Sequence, residues 1–325
     1  MAMTNPMLTS DLIAKFGWQV MPYLSNLGVN LLAESALLFV DSGATNALDA
    51  DDGIHGLSFE NPFATLNFAA YMATASQGDV ILIAPGHAET VDDLGSASST
   101  TTDEIVLDKI GLSVIGIGVG TLRPTFTMGS ADTTASINIT AANTRLSNVR
   151  VISGLADLAV GITVAATADG TIIENCEIRD GNDAALEMVI GINVAANADA
   201  VQIRNCVFET VASGGCANAI VLAGGCDRGE IVGNTAYGTY SAGAMLASAA
   251  ASTGIIIKDN VLVNEGAVGL ALNAATTGVL SGNYVGGTTS IAAALTGDTA
   301  IWCFENYVTG AAGAAGIINP AVDSD

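Results

Sequence analysis

The chain has 325 residues and carries 32 acidic against 9 basic side chains, which gives a formal net charge of −23 at pH 7. Such an acidic surface repels nucleic acids and anionic membranes, so neither is expected as a partner. No apolar run reaches the length of about 18 residues that a transmembrane helix needs. The five cysteines form neither a disulfide framework nor a zinc motif.

Residues 1–35 precede the repetitive part of the chain. Apolar periodicity predicts one or two short helices over residues 9–24. Phe16 and Trp18 are the candidate anchors through which this apolar segment would dock on a partner protein; packing on the body of the chain is the alternative. Residues 1–6 lack the basic region of a signal peptide, so synthesis in the cytoplasm without export is expected.

Residues 36–91 are predicted to form a first coil. A strand is expected at residues 36–41, and an acidic loop follows it. This loop could supply oxygen ligands for Ca²⁺, although their order does not match an EF-hand and a solvated loop is the alternative. The candidate ligands are Asp41, Asp49, Asp51 and Asp52.

A capping helix is predicted after this loop, with Asn61 as N-cap, Pro62 as the first helical residue and an end before Gly78. Such a helix would cover the open strand edges of the first coil. The two histidines of the chain, His55 and His87, lie in this region, and a structural role is expected for both.

A short phrase recurs through the rest of the chain: an asparagine, a small or apolar residue, any residue, then usually an apolar one. The asparagines are Asn148, Asn175, Asn205, Asn234, Asn260, Asn283 and Asn306, at intervals of 27, 30, 29, 26, 23 and 23 residues. Repetition at such a period is typical of a solenoid, in which each unit buries its apolar face against its neighbours. The recurring asparagines are predicted to stack as one ladder of side-chain amides.

The repeats predict an all-β fold. The apolar runs are too short for helices, and Gly, Ala, Ser, Thr and Asn fill the bends between them. Parallel stacking with the usual handedness gives a right-handed parallel β-helix over residues 92–310. Residues 311–325 form a C-terminal tail rich in small residues.

Alignment of the repeats at their asparagines brings opposite charges together on adjacent coils. The predicted pairs are Glu174 with Arg204, Arg150 with Glu177, and Arg179 with Glu209. The same alignment stacks Cys176 on Cys206, either as two buried thiols or as a disulfide.

Several of these motifs together resemble the pectate-lyase-like right-handed β-helix superfamily. More narrowly, they are similar to β-helix structural proteins of tailed bacteriophages. They are Phe39-Val-Asp-Ser-Gly, Asp51-Asp-Gly, Asn61-Pro-Phe-Ala-Thr-Leu, Gly78-Asp-Val-Ile-Leu-Ile-Ala-Pro-Gly-His and the asparagine repeats. The resemblance spans about residues 36–310 and implies a β-helix that carries lyases, hydrolases, tailspikes or inert structural proteins.

The first functional hypothesis is a non-enzymatic structural protein on the exterior of a phage virion, decorating the capsid or associated with the tail. The resemblance implies a homotrimer, and residues 1–35 would bind other virion proteins. No cofactor is expected apart from the calcium hypothesis.

The alternatives are a tailspike-like enzyme that degrades glycans and a non-catalytic adhesin for host surface glycans. A glycosidase needs two carboxylates in a groove. The candidates are Glu174, Glu177, Asp180 and Asp183. Sugar binding also needs exposed aromatic rings, but the repeat alignment turns the main aromatic side chains inward or toward a bend. These are Phe208, Tyr237, Tyr284 and Tyr307.

Overall fold

In a computed structural model, the chain winds in successive coils, and the strands of these coils stack into three β-sheets. The structure describes residues 35–91, 104–129, 133–181, 185–210, 216–247, 250–266, 268–273, 275–287, 301–310 and 316–318. The predicted helices of residues 9–24 and the candidate anchors Phe16 and Trp18 lie outside these ranges.

After the first coil, which contributes only a strand of sheet 1, each coil contributes one strand to sheet 1, then one to sheet 2 and, in most coils, one to sheet 3. Sheet 1 contains β1 Leu37–Val40, β2 Val80–Ile83, β5 Ser113–Gly116, β8 Arg145–Ser147, β11 Ile172–Glu174, β14 Gln202–Arg204, β17 Glu230–Val232, β20 Ile255–Lys258, β23 Gly278–Ser281 and β25 Ile301–Phe304.

Sheet 2 contains β3 Ala88–Val91, β6 Thr125–Met128, β9 Arg150–Ser153, β12 Glu177–Arg179, β15 Val207–Glu209, β18 Thr235–Gly238, β21 Val261–Asn264, β24 Tyr284–Gly287, β26 Asn306–Gly310 and β27 Gly316–Ile318. Sheet 3 contains β4 Ile105–Leu107, β7 Ile137–Ile139, β10 Leu158–Val164, β13 Met188–Val194, β16 Asn218–Leu222, β19 Gly243–Ala247 and β22 Val268–Ala271.

The strands pair in parallel from coil to coil. In sheet 1, for example, Ile173 lies level with Leu146 on one side and with Ile203 on the other. These inward side chains alternate with half-exposed ones and form one continuous apolar core along the coils. The predicted parallel β-helix is confirmed.

The C-terminal edge differs from the other coils. Strand β27 turns back and pairs antiparallel with β26, so that Tyr307 lies level with Ile317. A returning strand satisfies backbone groups that would otherwise be open to pairing with another chain. This strand lies in the predicted C-terminal tail, where the sequence predicted no regular structure.

The one α-helix in the described residues, α1, runs over Leu66–Met72 and packs beside the first coil. Its N-cap is Thr65, whose hydroxyl accepts a hydrogen bond from the Phe68 N–H at 3.2 Å. The predicted start at Asn61-Pro62 is therefore wrong by several residues. Phe63 instead continues extended and forms a parallel bridge with Val40, because its buried ring belongs to the core.

The buried side chain of Asp79 connects two segments of the first coil by hydrogen bonds to their backbone. One carboxylate oxygen accepts from the Ala36 N–H and the other from the Thr74 N–H, both at 2.7 Å. Burial raises the pKa of Asp79, and these two hydrogen bonds oppose that shift.

Four of the recurring asparagines form a buried amide column at the bend between sheets 1 and 2. Each side-chain Nδ2 donates to the Oδ1 of the next asparagine, over 3.0 Å for Asn234 to Asn260, 2.9 Å for Asn260 to Asn283 and 2.9 Å for Asn283 to Asn306. The backbone N–H of each of the first three donates to the same Oδ1, at 2.9 to 3.1 Å. The column therefore pairs buried polar groups across four coils.

The placement of Asn148, Asn175 and Asn205 in that column is wrong. They lie one position earlier in the bend, with positive φ angles of 57°, 55° and 52°. Strand register sets Asn205 level with Gly233, whose φ is 68°. The bend has two residues. The first has a left-handed backbone conformation, which Asn and Gly tolerate, and the side chain of the second points into the core. In the earlier coils the inward position holds Val149, Cys176 and Cys206.

Candidate functional site

The carboxylates of the acidic loop in the first coil accept hydrogen bonds from nearby backbone N–H groups. Asp49 accepts from the Ala64 and Thr65 N–H groups and from the Thr65 hydroxyl. Asp52 accepts from the Ile54 and His55 N–H groups, and these hydrogen bonds lower the pKa of Asp52 to about 2. Asp41 accepts from the Gly43 N–H.

The calcium candidates do not converge on one point. Asp51 is exposed. In the described part of the chain no three His, Cys, Asp or Glu side chains come together as a metal site. Asp41, Asp49 and Asp52 are engaged by turns and by the start of α1, which explains their spacing without an ion.

His87 is held at the start of sheet 2. Its Nδ1 lies 3.0 Å from the Ser42 N–H and must accept that hydrogen bond, so Nε2 carries the ring proton and donates to Glu89 at 3.1 Å. Glu89 also accepts from the Leu66 N–H at the start of α1. His87 therefore joins the first coil to the helix.

An arginine cluster lies on the outer faces of sheets 1 and 2 in the N-terminal half of the chain. Arg123 and Arg150 both donate to one oxygen of Glu177, at 3.2 and 2.9 Å, while Arg179 lies 3.8 Å from its other oxygen. Nearby, the Arg145 Nε donates to Glu174 at 2.7 Å. Four guanidinium groups face Glu174, Glu177 and, level with Arg179 on the next strand, Glu209, which leaves a local charge of +1 in a chain of net charge −23.

The residues of opposite charge that were predicted to face each other on adjacent strands do lie level with each other. Some of them, however, form ion pairs with other partners. Arg150 pairs with Glu177 as predicted. Glu174 and Arg204 lie level with each other, yet Glu174 pairs with Arg145, and Arg204 donates to Glu230 at 3.0 Å. Long side chains reach diagonal neighbours as easily as direct ones, and register alone does not decide between them.

The carboxylates proposed for glycoside hydrolysis are tied to other groups. Glu174 and Glu177 belong to the arginine cluster. Asp180 is buried, and its oxygens accept from the Met188 N–H at 2.8 Å and the Thr210 hydroxyl at 2.6 Å. Asp183 lies outside the described residues.

A second feature, the aromatic surface, lies near the C-terminal end on the same two sheets. Its members are Tyr284, Trp302, Phe304 and Tyr307, with exposed fractions of 40%, 77%, 45% and 54%. Trp302 and Phe304 point outward from β25 in sheet 1, and Tyr307 directly follows the two-residue bend of Glu305 and Asn306. Tyr284 and Tyr307 lie level on adjacent coils of sheet 2, while Trp302 and Phe304 share the outer face of the last strand of sheet 1, just before the bend.

These tyrosines were predicted to lie inward or near a bend: Tyr284 and Tyr307 do lie next to the bend, but their side chains are exposed and do not point inward. Tyr237 is exposed as well, and its hydroxyl donates to Glu265 at 2.9 Å, which raises the pKa of Tyr237. Phe208 alone is buried as predicted. Phe208 and Tyr237 each stand three residues after an asparagine, but those asparagines occupy different positions of the bend, and a shift of one residue reverses the face of a strand.

The charges around the aromatic surface are mainly acidic. Glu305 stands in the bend between Phe304 and Tyr307. Lys258 lies on the same outer column of sheet 1 as Phe304, and Asp259 lies 3.5 Å from its ammonium group. The three charges nearest the rings sum to −1, opposite in sign to the arginine cluster.

Among the described residues, no helix is both long and apolar enough to span a membrane. No curated protein matches the chain significantly in sequence. A solved structure described as a rhamnogalacturonan lyase is similar in fold, with a TM-score of 0.52 and 16% sequence identity over 84% of this chain. The chain spans 66% of the length of that lyase, slightly under two thirds. The family described as the right-handed β-helix region matches residues 135–312, and the chain belongs to that family.

Proposed function

We propose that this chain is a non-enzymatic β-helix protein that binds glycans through the aromatic surface formed by Tyr284, Trp302, Phe304 and Tyr307. The observation that carries the proposal is that four large rings project from a chain with only 5% aromatic residues. An exposed patch of this kind is typical of an interaction site. Tyrosine and tryptophan combine an apolar ring face, which packs on sugar C–H groups, with a polar edge for sugar hydroxyls.

The repeat of the fold also suits an extended glycan. Neighbouring parallel strands are spaced by about 4.8 Å, close to the length of one pyranose unit in an extended chain. Tyr284 and Tyr307 stand on adjacent coils in the same register. A glycan along the coils would therefore meet one ring per sugar on sheet 2.

The charge near the rings favours a neutral glycan. Glu305 and Asp259 outnumber Lys258, and the whole chain is strongly acidic. A uronic acid chain would be repelled at this surface. Neutral sugars meet no such penalty.

The test is binding of immobilised neutral and acidic polysaccharides to the full chain. We expect binding to neutral polysaccharides that Trp302→Ala reduces at least about tenfold, as for a buried aromatic anchor worth more than about 1.4 kcal/mol. The matched control is Tyr71→Ala, because Tyr71 is an exposed aromatic residue on α1, far along the coils from the aromatic surface. Equal binding by Trp302→Ala and wild type would refute the proposal.

We also propose that the protein acts on the exterior of a phage virion, as a homotrimer attached through residues 1–35. The support is the resemblance of the first-coil motifs and asparagine repeats to phage β-helix proteins. Removal of residues 1–35 should leave a folded protein that no longer attaches to particles. A monomer by light scattering at micromolar concentration would contradict the trimer.

A second candidate function is a polysaccharide lyase, favoured by the arginine cluster and by the fold shared with the rhamnogalacturonan lyase. Guanidinium groups can pair with a uronate and hold its carboxylate. However, Glu177 already pairs with both Arg123 and Arg150, so these two guanidinium groups are engaged within the protein.

The two candidates predict opposite outcomes in one assay. A lyase would release unsaturated products from acidic polysaccharides, detected by ultraviolet absorbance, and Arg150→Ala would abolish that release. The glycan-binding proposal predicts no release by wild type and unchanged binding to neutral polysaccharides by Arg150→Ala.

A further inference from the structure

The outer face of sheet 1 is apolar and buried in the first three coils. On β1, β2 and β5, side chains that point into the core alternate with side chains on the opposite side of the sheet. We call the outward apolar residues of these strands the apolar strip. They are Leu37, Phe39, Val80, Leu82 and Ile115, and the most exposed of them, Leu82, has an exposed fraction of 6%. None of the five belongs to the core of the coils, so the strip is buried from outside.

Later coils show that the same face is otherwise open to solvent. Strand register places Val80 in one outward column with Ile256 and Trp302. Ile256 is 37% exposed and Trp302 is 77% exposed, whereas Val80 is 1% exposed. Apolar side chains on the outer face of a sheet become this buried only where another part of the chain lies over them. The apolar strip is therefore a covered surface.

Phe59 covers one end of the apolar strip. Its ring packs edge-on against Phe39, with 4.7 Å between the ring centroids, and Phe59 itself remains 38% exposed. Residues 1–34 lead directly into β1, and the chain enters the sheet where the Ala36 N–H donates to Asp79. The segment that precedes β1 therefore reaches the strip at its edge.

The composition and length of residues 1–34 suit the strip. The segment is rich in apolar residues, whereas residues 92–103, the other long stretch of the N-terminal coils outside the described ranges, are mostly Ser, Thr and Asp. The helical part predicted over residues 9–24 would be about 24 Å long. Three neighbouring strands are spaced by about 4.8 Å each, so this length is enough to cross them.

We propose that the apolar strip is the docking site of residues 1–34 of the same chain, which pack on it through the apolar side of the predicted helix. Leu12, Phe16 and Val20 are spaced four residues apart, so they lie along one side of a helix. Their contact with the strip removes both apolar surfaces from water. Trp18 lies about 200° around a helix from Phe16 and stays available for a partner protein. The docking is independent of glycan binding and of attachment to a particle.

Limited digestion with trypsin tests the docking, because Lys15 is the only trypsin site in residues 1–34. Docking should protect Lys15 in wild type, since a protease cuts a segment only while it is open. Val80→Glu places a charge beneath the docked segment and should speed cleavage after Lys15 by at least about tenfold, measured by mass spectrometry. The matched control is Ile256→Glu, a change on the same column outside the strip, which should leave the cleavage rate at the wild-type value.

A second pair of variants leaves sheet 1 unchanged and decides the matter if Val80→Glu does not fold. Leu12→Ser should also speed cleavage after Lys15 by at least about tenfold, whereas Ala14→Ser, on the opposite side of the predicted helix, should not. Equal cleavage rates in wild type, Val80→Glu and Leu12→Ser would overturn the proposal. A changed oligomeric state of Val80→Glu by light scattering, without faster cleavage, would overturn it in favour of a second copy of the chain on the strip.

Discussion

Replacement of Asn260 by valine tests the buried amide column most directly. Valine suits the shape of the position, because Val149 occupies the equivalent inward place in an earlier coil. The Asn260 Oδ1 accepts from both the backbone N–H and the Nδ2 of Asn234. Its Nδ2 donates to the Ile231 carbonyl at 2.8 Å and to the Asn283 Oδ1 at 2.9 Å.

The expected cost follows from the groups left behind. The Asn234 N–H loses its acceptor in a fully buried place, which costs about 1–3 kcal/mol. The Asn234 Nδ2 keeps its bond to the Ile203 carbonyl, so its loss is smaller, as are the losses at Ile231 and Asn283. We expect Asn260→Val to lower the free energy of unfolding by about 2–4 kcal/mol.

The assay is urea denaturation followed by circular dichroism, with Asn205→Gly as the matched control. Asn205 is a recurring asparagine of the same phrase, but it is exposed at the left-handed position, where Gly233 stands in the next coil. Glycine relieves the left-handed strain and adds chain entropy to the unfolded state, so the two effects nearly cancel. A loss below about 1 kcal/mol for Asn260→Val, or an equal loss for Asn205→Gly, would refute the two-position bend.

Three further predictions concern other parts of the chain. Circular dichroism of the whole protein should be dominated by β-structure with a small helical part, and a mainly helical spectrum would contradict the fold. Because the folded pKa of Asp79 is raised above 3.8, its contribution to stability is present below that pH and is lost as pH rises through the folded pKa. The stability of wild type relative to Asp79→Asn should therefore fall as the pH rises from below 3.8 through the folded pKa, and a rise would contradict the shift. Arg150→Ala and Glu177→Ala should be non-additive by at least about 0.5 kcal/mol in a double-mutant cycle of unfolding, whereas strict additivity would mean that their ion pair contributes nothing.

The sequence by itself determined the architecture. Its repeats of 23 to 30 residues and its short β-rich runs predicted parallel coils, because a unit of that size buries its apolar face only against copies of itself. The facing of Arg150 with Glu177 and of Cys176 with Cys206 also followed, since both pairs lie within coils that share the same phrase.

The position of each asparagine in the bend was decided by the tertiary structure. Asparagine suits both places, because it tolerates a left-handed backbone and its amide can also stack in a buried column. The type of residue that precedes each asparagine does distinguish the two places. Before the buried asparagines, the left-handed position is held by Gly233, Asp259 and Gly282. Before Asn175 and Asn205 the chain has Glu174 and Arg204, which end strands of sheet 1.

Tertiary packing also decided which way the rings of the aromatic surface point and at which residue α1 begins. Tyr284 and Tyr307 point outward because the buried asparagines before them fill the inward place, and side chains alternate after that point. Helix α1 begins at Leu66 because Phe63 is drawn into the core beside Val40, although Asn61-Pro62 is a good local start. Local preference allowed both outcomes in each case, and burial against the neighbouring coil selected one.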